Sequence, residues 1–170
     1  MTIATALHWL DLEKFIENVR RVLKEDSGVL AIWTYSFGTL DNIEGDAINR
    51  EFSRRFLSSY FPERQSLVEN FYESLAPRFP YQSTLRQFTI ERRIETTLGG
   101  LIGFIQTTSS CQAFRRENSE EEYQTIVDDL RRKLIQCYRS TEDNQTMDDH
   151  SIAVIISSPI RLYLMRKNER

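Results

Sequence analysis

Two hydrophobic periods follow each other in the first thirty-five residues. Leu12, Phe15, Ile16, Val19, Val22 and Leu23 recur at helical spacing, so one apolar stripe runs through Lys24. Val29-Leu30-Ala31-Ile32-Trp33-Thr34-Tyr35 then stays apolar with no polar alternation until its end, as expected of a strand covered on both faces in a parallel sheet. Residues 2–7 (Thr-Ile-Ala-Thr-Ala-Leu) read as the tail of a buried strand or an extended entry segment. Asp11 is placed to cap the helix. Glu25-Asp26-Ser27-Gly28 closes it, with Gly28 suited to a left-handed turn. Strand, helix and strand joined by short turns make a βαβ unit. His8 and Trp9 then fall in the loop beyond the first strand, where open α/β folds hold their ligands.

Downstream the period is mostly helical. Residues 36–46 are rich in turn formers, and the spacing predicts a helix from Asp46 to Tyr60 and a shorter one from Pro62, with Leu67, Val68, Phe71, Tyr72 and Leu75 on its apolar side. Aromatic residues are dense over 52–81, which fits the core of a helical subdomain or an apolar lid over a pocket. Gln87 to Thr96 alternates imperfectly, as a partly exposed strand near a sheet edge would. Leu98 to Ile105 and Glu120 to Arg139 return to helical spacing. Residues 140–150 are a polar loop, and Lys167 to Arg170 a charged tail. The last strand is expected in two pieces, Ile152 to Ile156 and Ile160 to Met165, broken at Ser157-Ser158-Pro159 because proline lacks a donor.

The 170 residues, with 40% hydrophobic and 28% charged positions and a net charge of −3, describe one ordinary globular domain. Arg115-Arg116 and Arg131-Arg132-Lys133 alternate with acidic neighbours, so a solvated helix face explains them and nucleic-acid binding is not expected. No apolar run approaches the ~18 residues of a membrane helix. Cys111 and Cys137 lack metal-ligand spacing, and the two histidines are 142 positions apart, so a zinc site is not expected. Reduced thiols and a cytoplasmic location follow. Asn144-Gln145-Thr146 fits a glycosylation sequon but has no secretion signal beside it. Gly99-Gly100-Leu101-Ile102-Gly103 has the wrong spacing for a phosphate loop, and close helix packing accounts for those glycines. His8-Trp9, with Tyr35 at the end of the next strand, remains as candidate chemistry. The pair is either structural or a place where an indole stacks on an adenine or covers a sulfonium, worth ~0.5–2 kcal/mol.

Ala4-Thr5-Ala6-Leu7-His8-Trp9-Leu10-Asp11, the helix ending Arg20-Arg21-Val22-Leu23-Lys24, and Gly28 to Tyr35 together resemble the second half of a Rossmann-like S-adenosylmethionine-dependent methyltransferase. The small-molecule branch similar to trans-aconitate methyltransferase is the nearest in pattern. Leu101 to Phe114 resembles a helix of that branch: Gly103, Thr107, Ser109 and Gln112 agree, while Thr108 stands where Trp is usual and Gln106 where Arg is usual. Pro159 to Met165 resembles the family's last strand.

The resemblance implies an α/β fold: the C-terminal part of a methyltransferase sheet with an inserted helical lid, lacking the N-terminal strands and the Gly-rich loop. Residues 1–35 would be the strand-helix-strand remnant, 36–82 and 97–140 the lid, and 86–96 and 151–166 the closing strands, in one truncated domain. It implies S-adenosylmethionine as cofactor, held by Ala6, Leu7, His8 and Trp9. A small-molecule acceptor would lie near Tyr35, Gln106, Thr107, Ser109 and Gln112, with His8 as a candidate general base. A sheet missing its first strands exposes an edge, so the alternatives are a non-catalytic product that self-associates through that edge and a small-ligand binding module.

Overall fold

A computed structural model describes residues 1–61, 63–138 and 148–167. Its strands and helices are β1 Thr2–Ala4, α1 Leu12–Val22, β2 Val29–Tyr35, β3 Thr39–Leu40, α2 Ile43–Phe52, α3 Gln65–Glu69, β4 Arg86–Thr97, α4 Leu98–Thr107, α5 Ser109–Glu117, α6 Glu120–Tyr138 and β5 Ala153–Arg166. They form two compact units: Met1–Gly38, Glu63–Arg92 and Ser158–Arg170 in the first, Thr39–Pro62 and Arg93–Ser157 in the second. The stretch 36–82, expected as one lid, is therefore divided, because residues from Glu63 onward fold with the strands of the first unit. The sequon at 144–146, the start of the helix expected from Pro62, the end of the one expected to Arg139, most of the 140–150 loop and the last three tail residues lie outside the described residues.

In the first unit the expected βαβ arrangement is present. β1 pairs parallel with β2 in the register Thr2↔Ala31, Ile3↔Ile32, Ala4↔Trp33. Asp11 caps α1 by accepting the Lys14 amide at 3.1 Å. Ile16 is buried, and Val19 and Leu23 join a core of Leu7, Leu30, Ile32, Val68, Tyr72, Phe79, Tyr163 and Met165. β2 runs antiparallel to β5, from Val29↔Arg166 to Tyr35↔Ile160.

Several expectations need correction. β1 is short, and Thr2 and Ala4 are exposed rather than buried, since among the described residues it pairs with β2 alone. β2 buries Leu30, Ile32 and Thr34 completely, while the alternate positions Ala31, Trp33 and Tyr35 are half-buried and Val29 is exposed. Its second face is thus only partly covered. Gly28 is not left-handed; a side chain there would meet the Lys24 carbonyl at 2.4 Å and Leu23 at 2.5 Å, so close approach requires the glycine. β5 is continuous through Pro159. Its pairing with β2 ends at Ile160, one residue beyond Pro159, so the β2 ladder asks no donor of the proline. Ser158 Oγ donates to the Ser36 carbonyl at 2.7 Å beside it.

In the second unit, α2 begins three residues before the expected Asp46, because the Asn42 side chain accepts the Gly45 amide at 2.8 Å and caps it. It ends at Phe52, and a π-turn over Ser53–Leu57 and a 3₁₀ turn over Ser58–Tyr60 complete the expected helical stretch. Phe52, Phe56 and Tyr60 gather with Phe114 at ring separations of 5.7–6.3 Å between successive partners. The single helix expected across 101–114 is two, divided at Thr108, whose hydroxyl accepts the Cys111 amide at the start of α5. Close packing explains two of the three glycines: a Cβ at Gly99 would meet His150 at 2.8 Å and one at Gly100 would meet Thr96 at 2.4 Å, whereas Gly103 faces open space. The partners are a loop residue and a residue of β4 rather than a second helix. β3 pairs with Ile156 and Ser157 of β5. Among the described residues no helix is long and apolar enough to cross a membrane.

Ile32 is fully buried in the centre of the first core. Ile32→Ala is expected to cost about 2–5 kcal/mol in denaturant unfolding, and Asn42→Ala about 1 kcal/mol through loss of the cap.

Candidate functional site

The loop after β1 is held at several points within the first unit. Thr5 donates its amide to the Trp33 carbonyl at 2.8 Å, extending the β1–β2 ladder by one bond. Thr5 itself takes φ 41°, a left-handed conformation that a β-branched residue rarely adopts. The chain then turns through one 3₁₀ turn, Leu7–Trp9, with Trp9 N bonded to the Ala6 carbonyl and Leu10 N to that of Leu7. Arg64 donates to the Leu10 carbonyl at 3.1 Å. Strain of this kind persists where the surrounding structure over-determines it, and it clusters at ligand sites.

The four loop residues separate by direction. Leu7 is a core residue, and His8 is 6% exposed with Nδ1 2.9 Å from the Tyr72 hydroxyl. Trp9 is 62% exposed, and its ring lies 4.7 Å from that of His8. Ala6 is half-buried at the turn. Burial pushes the His8 imidazole below its ordinary pKa, so the ring stays neutral. Nδ1 is occupied by the Tyr72 hydroxyl and the residue is enclosed, so little of the imidazole is presented to a substrate. An exposed indole over a strained turn at the C-terminal end of a parallel strand offers a flat apolar surface on which an adenine or a sulfonium can rest.

Tyr35 ends β2 with the Arg92 guanidinium 4.4 Å above its ring. Arg92 Nε is buried without a hydrogen-bond partner, as is Thr34 Oγ1 on the inward face of β2. Arg161, opposite Thr34 in the β2–β5 register, pairs with Glu73 at 3.1 Å. Tyr72, Arg92 and Arg161 were not found by sequence reasoning. Tyr72 lay in a helical pattern, and no local spacing announces the pairing of residues 64 positions apart.

The other expected acceptor residues belong to the second unit. Gln106 donates to the Tyr123 hydroxyl at 3.1 Å, and Gln112 donates to the Gln106 carbonyl at 2.6 Å. Thr107 turns its hydroxyl back onto the Phe104 carbonyl at 2.7 Å, and Ser109 is exposed at the start of α5. Gln106 and Gln112 are thus brought together, whereas the Thr107 hydroxyl is spent on its own helix. Burial raises the Cys111 thiol, 4.0 Å from the Tyr123 hydroxyl, so it is no activated nucleophile. A groove of about 640 Å³ between α2 and α6 is lined by Glu44, Ile48, Phe52, Arg55, Phe56 and Lys133, and by none of the sequence-predicted residues. Asp148, Asp149 and His150 bring ligand atoms within 4.8 Å of one another, and Asp149 is paired with Arg131 at 2.9 Å.

No protein-family profile matches the chain. It is 22% identical over 169 residues to a Dictyostelium discoideum protein named "Putative methyltransferase DDB_G0268948", covering 98% of this chain and 59% of that protein. Its structure superposes with a TM-score of 0.73 and 22% identity on a protein described as a putative type II methyltransferase from Anaeromyxobacter dehalogenans, covering 99% of this chain and 64% of that one. The chain therefore has a methyltransferase fold and spans about three-fifths of the length of each of these proteins.

The neutral, buried His8 has a sign for stability. The unfolded chain takes up a proton near 6.5 that the folded one resists, so the pair stabilises above that pH and loses ground as pH falls through it. Melting temperature is expected to fall between pH 7.5 and 5.5, and less steeply in His8→Asn; equal slopes would contradict the assignment.

Proposed function

We propose that this chain serves S-adenosylmethionine-dependent methyl transfer to a small-molecule acceptor, in the cytoplasm, as the portion of the enzyme that carries the loop after β1 and the acceptor-side helices. The observation that carries the reading is the strained turn at the C-terminal end of β1 with Trp9 exposed above it. Ala6 and Trp9 would rest against the cofactor, and Leu7 and His8 would anchor that surface from beneath. When bound, the cofactor supplies an electrophilic methyl group on a sulfonium. The protein's contribution is to hold donor and acceptor in line, so positioning supplies most of the rate. Within the first unit Tyr35, stiffened by Arg92, would border the acceptor. Similarity to two proteins named as methyltransferases, one in sequence and one in fold, supports the reading. Since both are longer, turnover by these 170 residues alone is not expected.

A second reading is favoured by β1, which pairs on one side only among the described residues. An open strand edge recruits another strand, and a second copy of this chain would do so through Thr2–Ala4. Light scattering after size exclusion distinguishes this: a dimer that dissociates when Ile3 becomes proline supports it, and a clean monomer removes it.

For the first reading, calorimetric titration with S-adenosylmethionine is expected to give a dissociation constant below millimolar, and Trp9→Ala to weaken it about 2- to 30-fold. No binding below millimolar would remove cofactor recognition by this chain.

A further inference from the structure

Tyr72 is the least expected residue of the first unit. α3 ends at Glu69, and Phe71 and Tyr72 follow with φ 51° and 59°, two consecutive aromatic residues in the left-handed region. That conformation is disfavoured for any residue with a Cβ. Here it is held firmly: Tyr72 N donates to the Leu67 carbonyl at 2.8 Å, the amides of Leu75 and Ala76 return to the Tyr72 carbonyl, and the Tyr163 hydroxyl donates to the Phe71 carbonyl at 2.7 Å. Arg161 lies 5.9 Å from the Phe71 ring. The result is a tyrosine with no exposed surface whose hydroxyl reaches His8, with a third left-handed residue, Thr5, at the start of the same loop.

The hydrogen bond has a direction. The phenolic oxygen lies 2.9 Å from Nδ1, and burial keeps the phenol protonated and the imidazole neutral. Of the two neutral groups the phenol is the stronger acid and an unprotonated imidazole nitrogen the stronger base, so the phenolic proton is the one donated, to Nδ1.

We propose that Tyr72 is the positioning residue of the loop after β1: its hydroxyl donates to His8 Nδ1, fixes the imidazole as the Nε2–H tautomer, and so sets the surface against which Trp9 rests. Its value to cofactor binding rests on the reading above. The tautomer stands apart from that reading and is measured separately.

Long-range ¹H–¹⁵N correlation spectra of the ¹⁵N-histidine-labelled chain at pH 7 report the tautomer, with His150→Gln assigning the two rings. The wild type is expected to show one His8 form, protonated at Nε2. Tyr72→Phe is expected to release it into a mixture of tautomers and to weaken S-adenosylhomocysteine binding about tenfold. Tyr81→Phe, which removes a hydroxyl without a hydrogen-bond partner beside the same core, is expected to leave the His8 spectrum unchanged. A proton on Nδ1 in the wild type, or an unchanged spectrum in Tyr72→Phe, overturns the proposal. Should Tyr72→Phe not fold, the wild-type tautomer decides alone. A wild type with the Nε2–H form that binds no S-adenosylhomocysteine keeps the positioning role and removes the cofactor reading.

Discussion

The parallel pairing of β1 with β2 is the constraint on which the rest depends. Three residues pair, and the Thr5 amide adds a fourth contact to the Trp33 carbonyl. Beyond it the chain must leave the sheet at once to reach the start of α1 at Leu12. A turn that tight is made by putting Thr5 in the left-handed region, a state that costs roughly 1–2 kcal/mol for a residue with a Cβ. The burial of Leu7 and His8 and the bond to Tyr72 offset that cost. Trp9 is left facing outward as a consequence of the turn, not through packing of its own.

Charge and burial separate the two kinds of candidate residue. In the first unit two cations lie near rings, Arg92 over Tyr35 and Arg161 near Phe71, while Arg64 donates to the Leu10 carbonyl of the loop. In the second unit Gln106 donates to the Tyr123 hydroxyl and Gln112 to the Gln106 backbone carbonyl. Amide side chains linked in this way can exchange partners with a polar ligand at small cost, because each bond contributes only about 1 kcal/mol net. The surface-exposed salt bridges of α6, such as Lys133 with Asp129, contribute less still.

Elements with a strong period were legible in the sequence. α1 follows from its stripe and from Asp11, β2 from its apolar run, and α6 from seven apolar positions at helical spacing. What escaped was set by tertiary contact. Phe71 and Tyr72 continue a helical pattern, yet long-range bonds to Tyr163 and His8 pull them into the left-handed region. Pro159 reads as a break, but the β2 ladder demands nothing of it and β5 runs on. Gly28 reads as a cap and is instead required by the approach of Lys24. Of the candidate site, His8, Trp9 and Tyr35 could be picked out as residues; which of them faces inward, and that Tyr72 and Arg92 attend them, could not.

Amide chemical-shift mapping with S-adenosylhomocysteine tests the central claim most directly, because it locates the ligand on the chain without requiring turnover. The account predicts saturable shifts at Ala6 to Trp9 and at the Trp9 indole. Shifts confined to the second unit, or none at millimolar ligand, would contradict it.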